Sequence, residues 1–275
     1  MLAGMAATLS AIHTFPLKSG APRAHAERRL EPQGLADDRR WMVIDANAKF
    51  VTGRQQSRLT LVRAETETDG LRFEAPGMPP LQLPLPAPDG KRIATDVWGS
   101  AVQPLLAADA GNDWISCFLG APSRLVYMDA KCTRAVQSMY DGRYGADGDV
   151  VSFADAFPLL LISQSALDLL NSKLAAPVPM LRFRPNLVVA GTAPHAEDGW
   201  RRVRIGECEF DVVKPCTRCV FTTVDFERGE RDPAGEPLRT LTTYRRSPDG
   251  VTFGQNLIPR RLGTLRIGDA VEVLV

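Results

Sequence analysis

The chain has 275 residues, enough for one large or two small domains with a real hydrophobic core. Hydrophobic residues make up 44% and charged residues 24%, a balance that excludes a largely disordered chain. Lys and Arg number 33 against 32 Asp and Glu, so no field of one sign exists to attract nucleic acid or an anionic membrane. The 22 Gly and 21 Pro exceed the average content and predict many turns, hence a strand-rich fold.

Five cysteines are too few for a disulfide scaffold in a chain of this length, and the odd number leaves one unpaired. A reducing compartment is the simpler interpretation. The mildly apolar N-terminus lacks the basic segment of a signal peptide, and the sequence has no run of about 20 apolar residues that could span a bilayer. We therefore expect a soluble, cytoplasmic protein with no membrane span.

Short strand-like runs in the first 120 residues predict β-hairpins. The Pro-rich residues 76–88 predict a loop or an edge strand, where proline does not interrupt a ladder. A short helix is expected over residues 112–119, capped by Asn112 or Asp113. Strands are expected over residues 40–45, 50–52, 59–63 and 71–73, with turns at 46–49 and 68–70.

A second unit is expected from about residue 121. Ser163 can cap a helix that runs through Leu174, because its leucines fall on one face. Residues 264–274 predict a hairpin that turns at residues 268–269. Further strand patterns occur at 187–190, 203–205, 209–213 and 220–224. The sequence thus predicts a mainly β fold with some helices (α+β), divided into domains at residues 1–120 and 121–275.

Common catalytic signatures are absent from the sequence. It contains no GxGxxG, GxxxxGK[ST], HExxH or GxSxG pattern. Its three histidines are His13, His25 and His195, too few for a multi-histidine metal site and a poor basis for a classical triad.

The densest chemistry lies around Cys216 and Cys219. Two thiols three residues apart can form half of a zinc site, a redox dithiol, or a soft-metal ligand with a neighbour. Zinc is disfavoured, because no second pair supplies the remaining two of four ligands. A redox dithiol is expected at the start of a helix, whereas the β-branched residues that follow here indicate a strand. A soft-metal ligand with a neighbouring thiol stays open, and the alternative to it is that both are ordinary buried cysteines.

Basic and amide side chains recur in separate stretches of the chain. Lys18 and Ser19 follow FPL, Arg39 lies in DDRRW, and Arg184 and Asn186 lie in RFRPN. A guanidinium forks onto phosphate or ring acceptors, an ammonium is a point charge for phosphate, and an amide both donates and accepts. Together such residues suit an anionic, heterocyclic cofactor, although singly each is more often a solvated charge or an ion-pair partner.

Taken together, these segments resemble the MOSC (molybdenum cofactor sulfurase C-terminal) family, in particular its two-part members with an N-terminal MOSC β-barrel domain. In the first half the resemblance rests on FPLKS at 15–19, GLADDRRWMVID at 34–45 and TGRQQSRL at 52–59. In the second half it rests on FPLLLISQSALDLLN at 157–171, RFRPNLVV at 182–189, KPCTRCVFTTVD at 214–225, FGQNL at 253–257 and G-x-x-x-x-GD at 263–269. It implies an N-terminal MOSC-type β domain followed by a C-terminal MOSC β-barrel.

The resemblance implies a molybdenum cofactor, in which a molybdopterin holds the metal through dithiolene sulfurs. The thiol of Cys219 would ligate the metal, with Cys216 as a near neighbour. Asp155 would lie near the metal and transfer protons, provided that its pKa is raised. The other positions that match cofactor-binding residues are Lys18, Ser19 and Arg39 at the pterin and phosphate, and Arg184, Asn186, Thr217 and Arg218 around the cofactor.

By the same resemblance the chain would be an oxidoreductase that reduces N-hydroxylated substrates: amidoximes, hydroxylamines or N-hydroxylated bases. The N–O bond would break and the oxygen would leave as water. Electrons would come from a separate electron-transfer protein or reductase that docks transiently. Two alternatives stay open: a carrier of the cofactor or of sulfur without turnover, and a structural protein whose cysteines are inert.

Overall fold

The structure, a computed structural model, describes residues 6–68, 70–136 and 144–275. Short strands dominate this part of the chain, as the turn-rich composition predicts. In chain order the strands are β1 (Thr8–Thr14), β2 (Arg23–His25), β3 (Glu27–Glu31), β4 (Gly34–Leu35), β5 (Trp41–Asp45), β6 (Arg63–Glu67), β7 (Gly70–Glu74), β8 (Leu81–Pro84), β9 (Thr95–Val97), β10 (Ser100–Val102), β11 (Leu105–Leu106), β12 (Ser123–Tyr127), β13 (Leu159–Ser163), β14 (Leu187–Ala190), β15 (Arg202–Ile205), β16 (Cys208–Thr217), β17 (Val224–Asp225), β18 (Glu230–Arg231), β19 (Arg246–Ser247), β20 (Gly250–Arg261), β21 (Thr264–Arg266) and β22 (Val271–Val273).

The largest sheet joins strands from both ends of the sequence. Its order is β2-β1-β14-β13-β20-β16-β15-β22, with β19 paired to β20. Strand β1 runs antiparallel to β14, with Leu9 opposite Val189, so the N-terminal strand belongs to the sheet of the second half. Both side chains are fully buried in one core that also holds Leu161 and Phe210. Because alternate strand residues face this core, their burial fixes the register of the sheet.

A second core lies beneath smaller sheets of the first half. Strands β5, β11 and β12 form one antiparallel sheet, β6, β7 and β8 another, and β9 pairs with β10. Trp41 is almost fully buried and packs edge-to-face on Phe73, with the ring centroids 6.1 Å apart. Helix α1 (Asp109–Leu119) covers this core with Trp114, and it ends at Gly120 in the left-handed conformation typical of helix C-termini.

Two further helices belong to the second half, α2 (Gln164–Asn171) and α3 (Leu238–Tyr244). Ser163 occupies the predicted N-cap position of α2, but its side chain makes no capping hydrogen bond. The helix ends three residues before the expected Leu174, because the amide of Asn171 exchanges two hydrogen bonds with the backbone of Val178 at 3.1 and 2.9 Å. Four 3₁₀ helices are also present in the described chain, at Ser57–Leu61, Met180–Phe183, Ala196–Gly199 and Val220–Thr223.

Several predicted boundaries are wrong. Helix α1 begins at Asp109 with Ala108 as its N-cap, not at Asn112 or Asp113. The Asn112 amide is engaged by the backbone at Ala107 and Leu125, at 3.2 and 2.9 Å. Residues 50–52 contribute only a bridge at residue 50, whereas the Pro-rich segment does contain an edge strand, β8. Of the predicted turn at 68–70, residue 69 lies outside the described residues.

Two predicted strands contain 3₁₀ helix instead. Residues 59–61 belong to a 3₁₀ helix that precedes β6. After Cys219, the hydroxyls of Thr222 and Thr223 donate to carbonyls three residues back, at 2.9 and 2.7 Å. These local bonds let β-branched residues form a helical turn where their propensity indicates a strand.

The predicted C-terminal hairpin is also wrong, because its two strands enter different sheets. Strand β21 pairs with β3, and β22 pairs with β15. The predicted fold class, mainly β with some helices, is confirmed. The domain boundary at residue 120 stays a prediction. No helix in the described ranges is both long and apolar enough to cross a membrane.

Candidate functional site

All ten residues that the sequence analysis selected line one cavity of about 350 Å³. Its walls carry six basic side chains and one acidic side chain, Asp155, although the whole chain is nearly neutral. Such a concentration of positive charge favours an anionic ligand. The basic residues are Lys18, Arg39, Arg54, Arg182, Arg184 and Arg218.

The cavity is built from the connections between strands of both halves. Lys18 and Ser19 follow β1, Arg39 precedes β5, and Asp155 precedes β13. Arg184 and Asn186 lie between the 3₁₀ helix Met180–Phe183 and β14, while Cys216 and Thr217 end β16 and Cys219 follows it. Loops that are held by rigid strands commonly carry functional side chains.

Backbone strain is concentrated at this cavity. Among the described non-glycine residues, seven have a left-handed backbone, and four of these seven line the cavity. They are Ser19, Arg39, Trp98 and Arg184, with φ angles of 65°, 50°, 55° and 56°. Each such residue costs on the order of 1–3 kcal/mol, and such strain persists mainly where function requires the geometry.

Both cysteine thiols are partly exposed and receive hydrogen bonds from arginines. Arg54 Nε donates to Cys219 Sγ at 3.2 Å, and Arg218 Nη1 donates to Cys216 Sγ at 2.9 Å. Each guanidinium thus places a positive charge against a sulfur that faces the cavity. Partial exposure and cavity contact contradict the alternative of two ordinary buried cysteines.

Asp155 accepts hydrogen bonds from three donors. Its Oδ1 accepts from Lys18 Nζ at 2.6 Å and from Trp98 Nε1 at 3.2 Å, and its Oδ2 accepts from Arg54 Nη2 at 2.7 Å. The Asp155 side chain is 51% exposed. Its partial desolvation by the surrounding protein raises the pKa of Asp155, but the charges of Lys18 and Arg54 outweigh this effect and hold the pKa well below its usual range. The condition set for proton transfer by Asp155, a raised pKa, is therefore not met, because the carboxyl group lies between two cations.

Lys18 is 3% exposed and tied to the cavity wall. Besides Asp155, its Nζ donates to the carbonyl of Phe153 at 2.6 Å. Burial lowers the pKa of Lys18 to about 8, and the attraction of Asp155 opposes this shift. Two of its three N–H groups are thus engaged, which leaves at most one for a ligand.

Asn186 lies at the cavity wall, but its amide is used internally. Its Nδ2 donates to the carbonyl of His13 and to Asp38 Oδ2, both at 3.1 Å. Its Oδ1 accepts from Arg39 Nη1 and from the amide of Leu160, both at 3.2 Å. All four hydrogen bonds that an amide side chain can make are satisfied, so Asn186 braces the wall.

The guanidinium groups of Arg39 and Arg184 both lie against the ring of Phe15. The guanidinium carbons lie 4.5 and 4.0 Å from the ring centroid. Arg184 Nη1 donates to the carbonyl of Gly20 at 2.7 Å, whereas its buried Nη2 has no partner among the described residues. Burial lowers the pKa of Arg184 to about 9, and the nearby Arg39 adds to the shift. A hydrogen-bond acceptor on a ligand would satisfy the unpartnered Nη2 of Arg184.

The remaining selected residues have simpler surroundings. Ser19 is 6% exposed at the cavity wall, and Thr217 is exposed where β16 ends beside Thr252. The sequence analysis missed Arg54 and Trp98 as site residues. Arg54 lies in the segment 52–59 that carried the resemblance, so a signal existed. Trp98 turns the β9–β10 hairpin, and no sequence pattern indicates that this turn reaches the cavity.

The fold and the cavity define a mainly β protein that can hold an anionic ligand beside a free thiol. The model of the MOSC N-terminal beta barrel domain matches residues 6–122, and that of the MOSC domain matches residues 148–272. The chain therefore belongs to the family of two-part MOSC proteins with an N-terminal MOSC β-barrel domain.

Similar proteins cover almost the whole chain. Mitochondrial amidoxime-reducing component 1 of Xenopus laevis is 32% identical over 96% of this chain and 81% of its own length. Mitochondrial amidoxime reducing component 2 of Rattus norvegicus is 34% identical over 98% and 83%. The crystal structure of the YUAD protein from Bacillus subtilis is 9% identical over 97% of this chain and 94% of its own, with a TM-score of 0.42.

Proposed function

We propose that this chain is a molybdenum-cofactor-dependent oxidoreductase that reduces N-hydroxylated substrates with electrons from a separate protein. The observation that carries the proposal is the placement of Cys219 in one cavity with six cations. A thiolate suits a soft redox metal, and the cations suit the phosphate of a molybdopterin. The relatives are named for amidoxime reduction, which supports this class of substrate.

The residues present fit this cofactor. Cys219 would ligate the metal with Cys216 beside it, and the unpartnered Nη2 of Arg184 is a donor that an anionic group can occupy. The other residues that would surround the cofactor are Lys18, Ser19, Arg39, Thr217 and Arg218, with Asn186 as a brace behind them. When bound, the cofactor supplies the two-electron chemistry that cleaves an N–O bond.

The chain's own residues would bind the cofactor and orient it in the cavity. The cations offset the charge of the phosphate, while Asp155 stays ionised and fixes Lys18 and Arg54. Ala156 and Phe157, which follow Asp155 in the chain, also line the cavity. This part of the wall would therefore present apolar surface to a substrate, and the catalytic role of Asp155 stays a prediction.

Substitution of Cys219 tests the proposal. Wild-type protein purified natively is expected to contain molybdenum and pterin and to reduce an amidoxime with a chemical electron donor. Cys219→Ser should abolish this reduction, because a hydroxyl is a poor ligand for a soft metal. Cys117→Ser is the matched control, since Cys117 is an exposed thiol on α1 outside the cavity, and it should behave as wild type. Full turnover by Cys219→Ser with molybdenum bound would refute the assignment of the ligand.

A carrier of cofactor or sulfur is the second candidate, because Cys216 shares the cavity and receives a hydrogen bond from Arg218. A carrier would show a persulfide on one thiol by mass spectrometry and no turnover of any N-hydroxylated substrate. We keep the cytoplasmic location as a proposal for cell fractionation to test. The relatives are named as mitochondrial proteins.

A further inference from the structure

Arg54 connects three segments of the chain at the cavity. Its Nε donates to Cys219 Sγ at 3.2 Å, and its Nη2 donates to Asp155 Oδ2 at 2.7 Å. The indole of Trp98 lies against the guanidinium, with the ring centroid 4.7 Å from Cζ. One planar group therefore fixes a thiol, a carboxylate and an aromatic ring from separate elements.

The backbone of Arg54 is also held in place. The Thr52 carbonyl accepts from the amides of Gln55 and Gln56 at 3.0 and 2.9 Å, which closes a turn around Arg54. Arg231 donates to the Arg54 carbonyl from β18. The Arg54 side chain extends from a fixed turn to two hydrogen-bond acceptors. It is therefore already ordered, and little further conformational entropy is lost when it positions a neighbouring group.

The preceding glycine permits this approach. A Cβ atom at Gly53 would lie 2.1 Å from Cε2 of Phe221, two residues after Cys219. The turn at residues 52–55 thus packs directly on the 3₁₀ helix that begins after Cys219. This contact brings Arg54 within reach of the thiol.

We propose that Arg54 is a positioning residue that aims the Cys219 thiol into the cavity before the cofactor binds. The inference rests on the proposed function only for the identity of the ligand that the thiol meets. An arginine is required, because a planar fork satisfies Sγ and a carboxylate together, whereas an ammonium cannot reproduce the fork. Groups that hydrogen-bond a metal ligand typically change metal affinity about 10–100-fold when they are removed.

The first test measures cofactor retention. Cofactor-loaded wild type, Arg54→Gln and Arg54→Lys are diluted into buffer, and the rate of molybdenum loss is followed by elemental analysis and by visible absorption. Both variants should lose molybdenum about 10–100-fold faster than wild type. Arg58→Gln is the matched control: the Arg58 guanidinium also lies 4.7 Å from an aromatic ring, that of Phe118, but outside the cavity. Retention by Arg54→Gln equal to wild type, or full rescue by Arg54→Lys, would overturn the proposal.

The second test does not depend on the cofactor. Urea unfolding midpoints of cofactor-free wild type, Arg54→Gln, Cys219→Ser and the double variant form a double-mutant cycle. We expect the two single shifts to be non-additive, because the side chains are in direct contact. If wild-type protein never takes up molybdenum, the proposed function fails, and this cycle alone decides the positioning role of Arg54. Strictly additive stability shifts of the two single variants would refute that role, whereas non-additive shifts would support it.

Discussion

Replacement of Asp38 by Asn tests whether a buried carboxylate behind the cavity holds the basic wall in place. The Asp38 side chain is completely inaccessible to solvent and forms an ion pair with Arg39. Its Oδ1 accepts from the amide of Phe15 at 2.7 Å, and its Oδ2 accepts from Asn186 Nδ2 at 3.1 Å as well as from Arg39. Three donors thus converge on one carboxylate.

The cost of Asp38→Asn follows from these bonds. The amide of the new residue has one acceptor atom, so its NH₂ must face at least one of these donors. At least one hydrogen bond to a charged group is lost, worth about 1.5–3 kcal/mol, and Arg39 loses the negative charge of its buried partner. Breaking a buried ion pair by removing one partner typically costs about 3–5 kcal/mol. We therefore expect the free energy of unfolding to fall by about 3–5 kcal/mol.

Urea denaturation measures this loss of stability as a shift of the unfolding midpoint, provided that the dependence of the unfolding free energy on urea concentration is unchanged. With a slope of at most about 3 kcal/mol per M, the midpoint should fall by at least about 1 M. Asp37→Asn is the control, because Asp37 is adjacent and pairs with Arg28 but is 41% exposed. That exposed pair is worth about 0–1 kcal/mol. Equal midpoint shifts for the two variants would refute the argument that burial decides the cost.

Two further variants test packing and electrostatics elsewhere. Gly53→Ala should lower both thermal stability and molybdenum retention, because its Cβ would overlap the ring of Phe221; Gly199→Ala, which has open space around its Cβ, should change neither. Burial raises the pKa of Glu197 above its ordinary value of 4.5, although the backbone of Ser163 opposes the shift. Its contribution to stability is therefore full below pH 4.5 and is lost as the pH rises through the raised pKa. Glu197→Gln should remove this pH-dependent loss of stability. Urea midpoints of wild type and variant, measured from pH 4 upward, check this. A parallel fall of both midpoints with rising pH would contradict the prediction.

The sequence alone determined the fold class and selected ten of the residues that line the candidate site. Short strand-like runs and a high Gly and Pro content predicted a mainly β fold, because both are local properties of the sequence. Side-chain chemistry and the resemblance to family motifs selected residues that are far apart in the chain, among them Cys219, Lys18 and Arg184. The structure brings all ten selected residues to one cavity.

Only the tertiary structure decided how these side chains are paired. The pKa of Asp155 is lowered, which does not meet the condition for proton transfer, because Lys18 and Arg54 approach it from other elements. Trp98 escaped the sequence analysis, since a tryptophan in a hairpin has no local signal of what it will contact. Arg54 lies in a segment that carried the resemblance, but nothing local to it indicates that it contacts the Cys219 thiol and the Asp155 carboxylate. Likewise β21 and β22 join different sheets, because strand pairing depends on which edges lie nearby and not on sequence proximity.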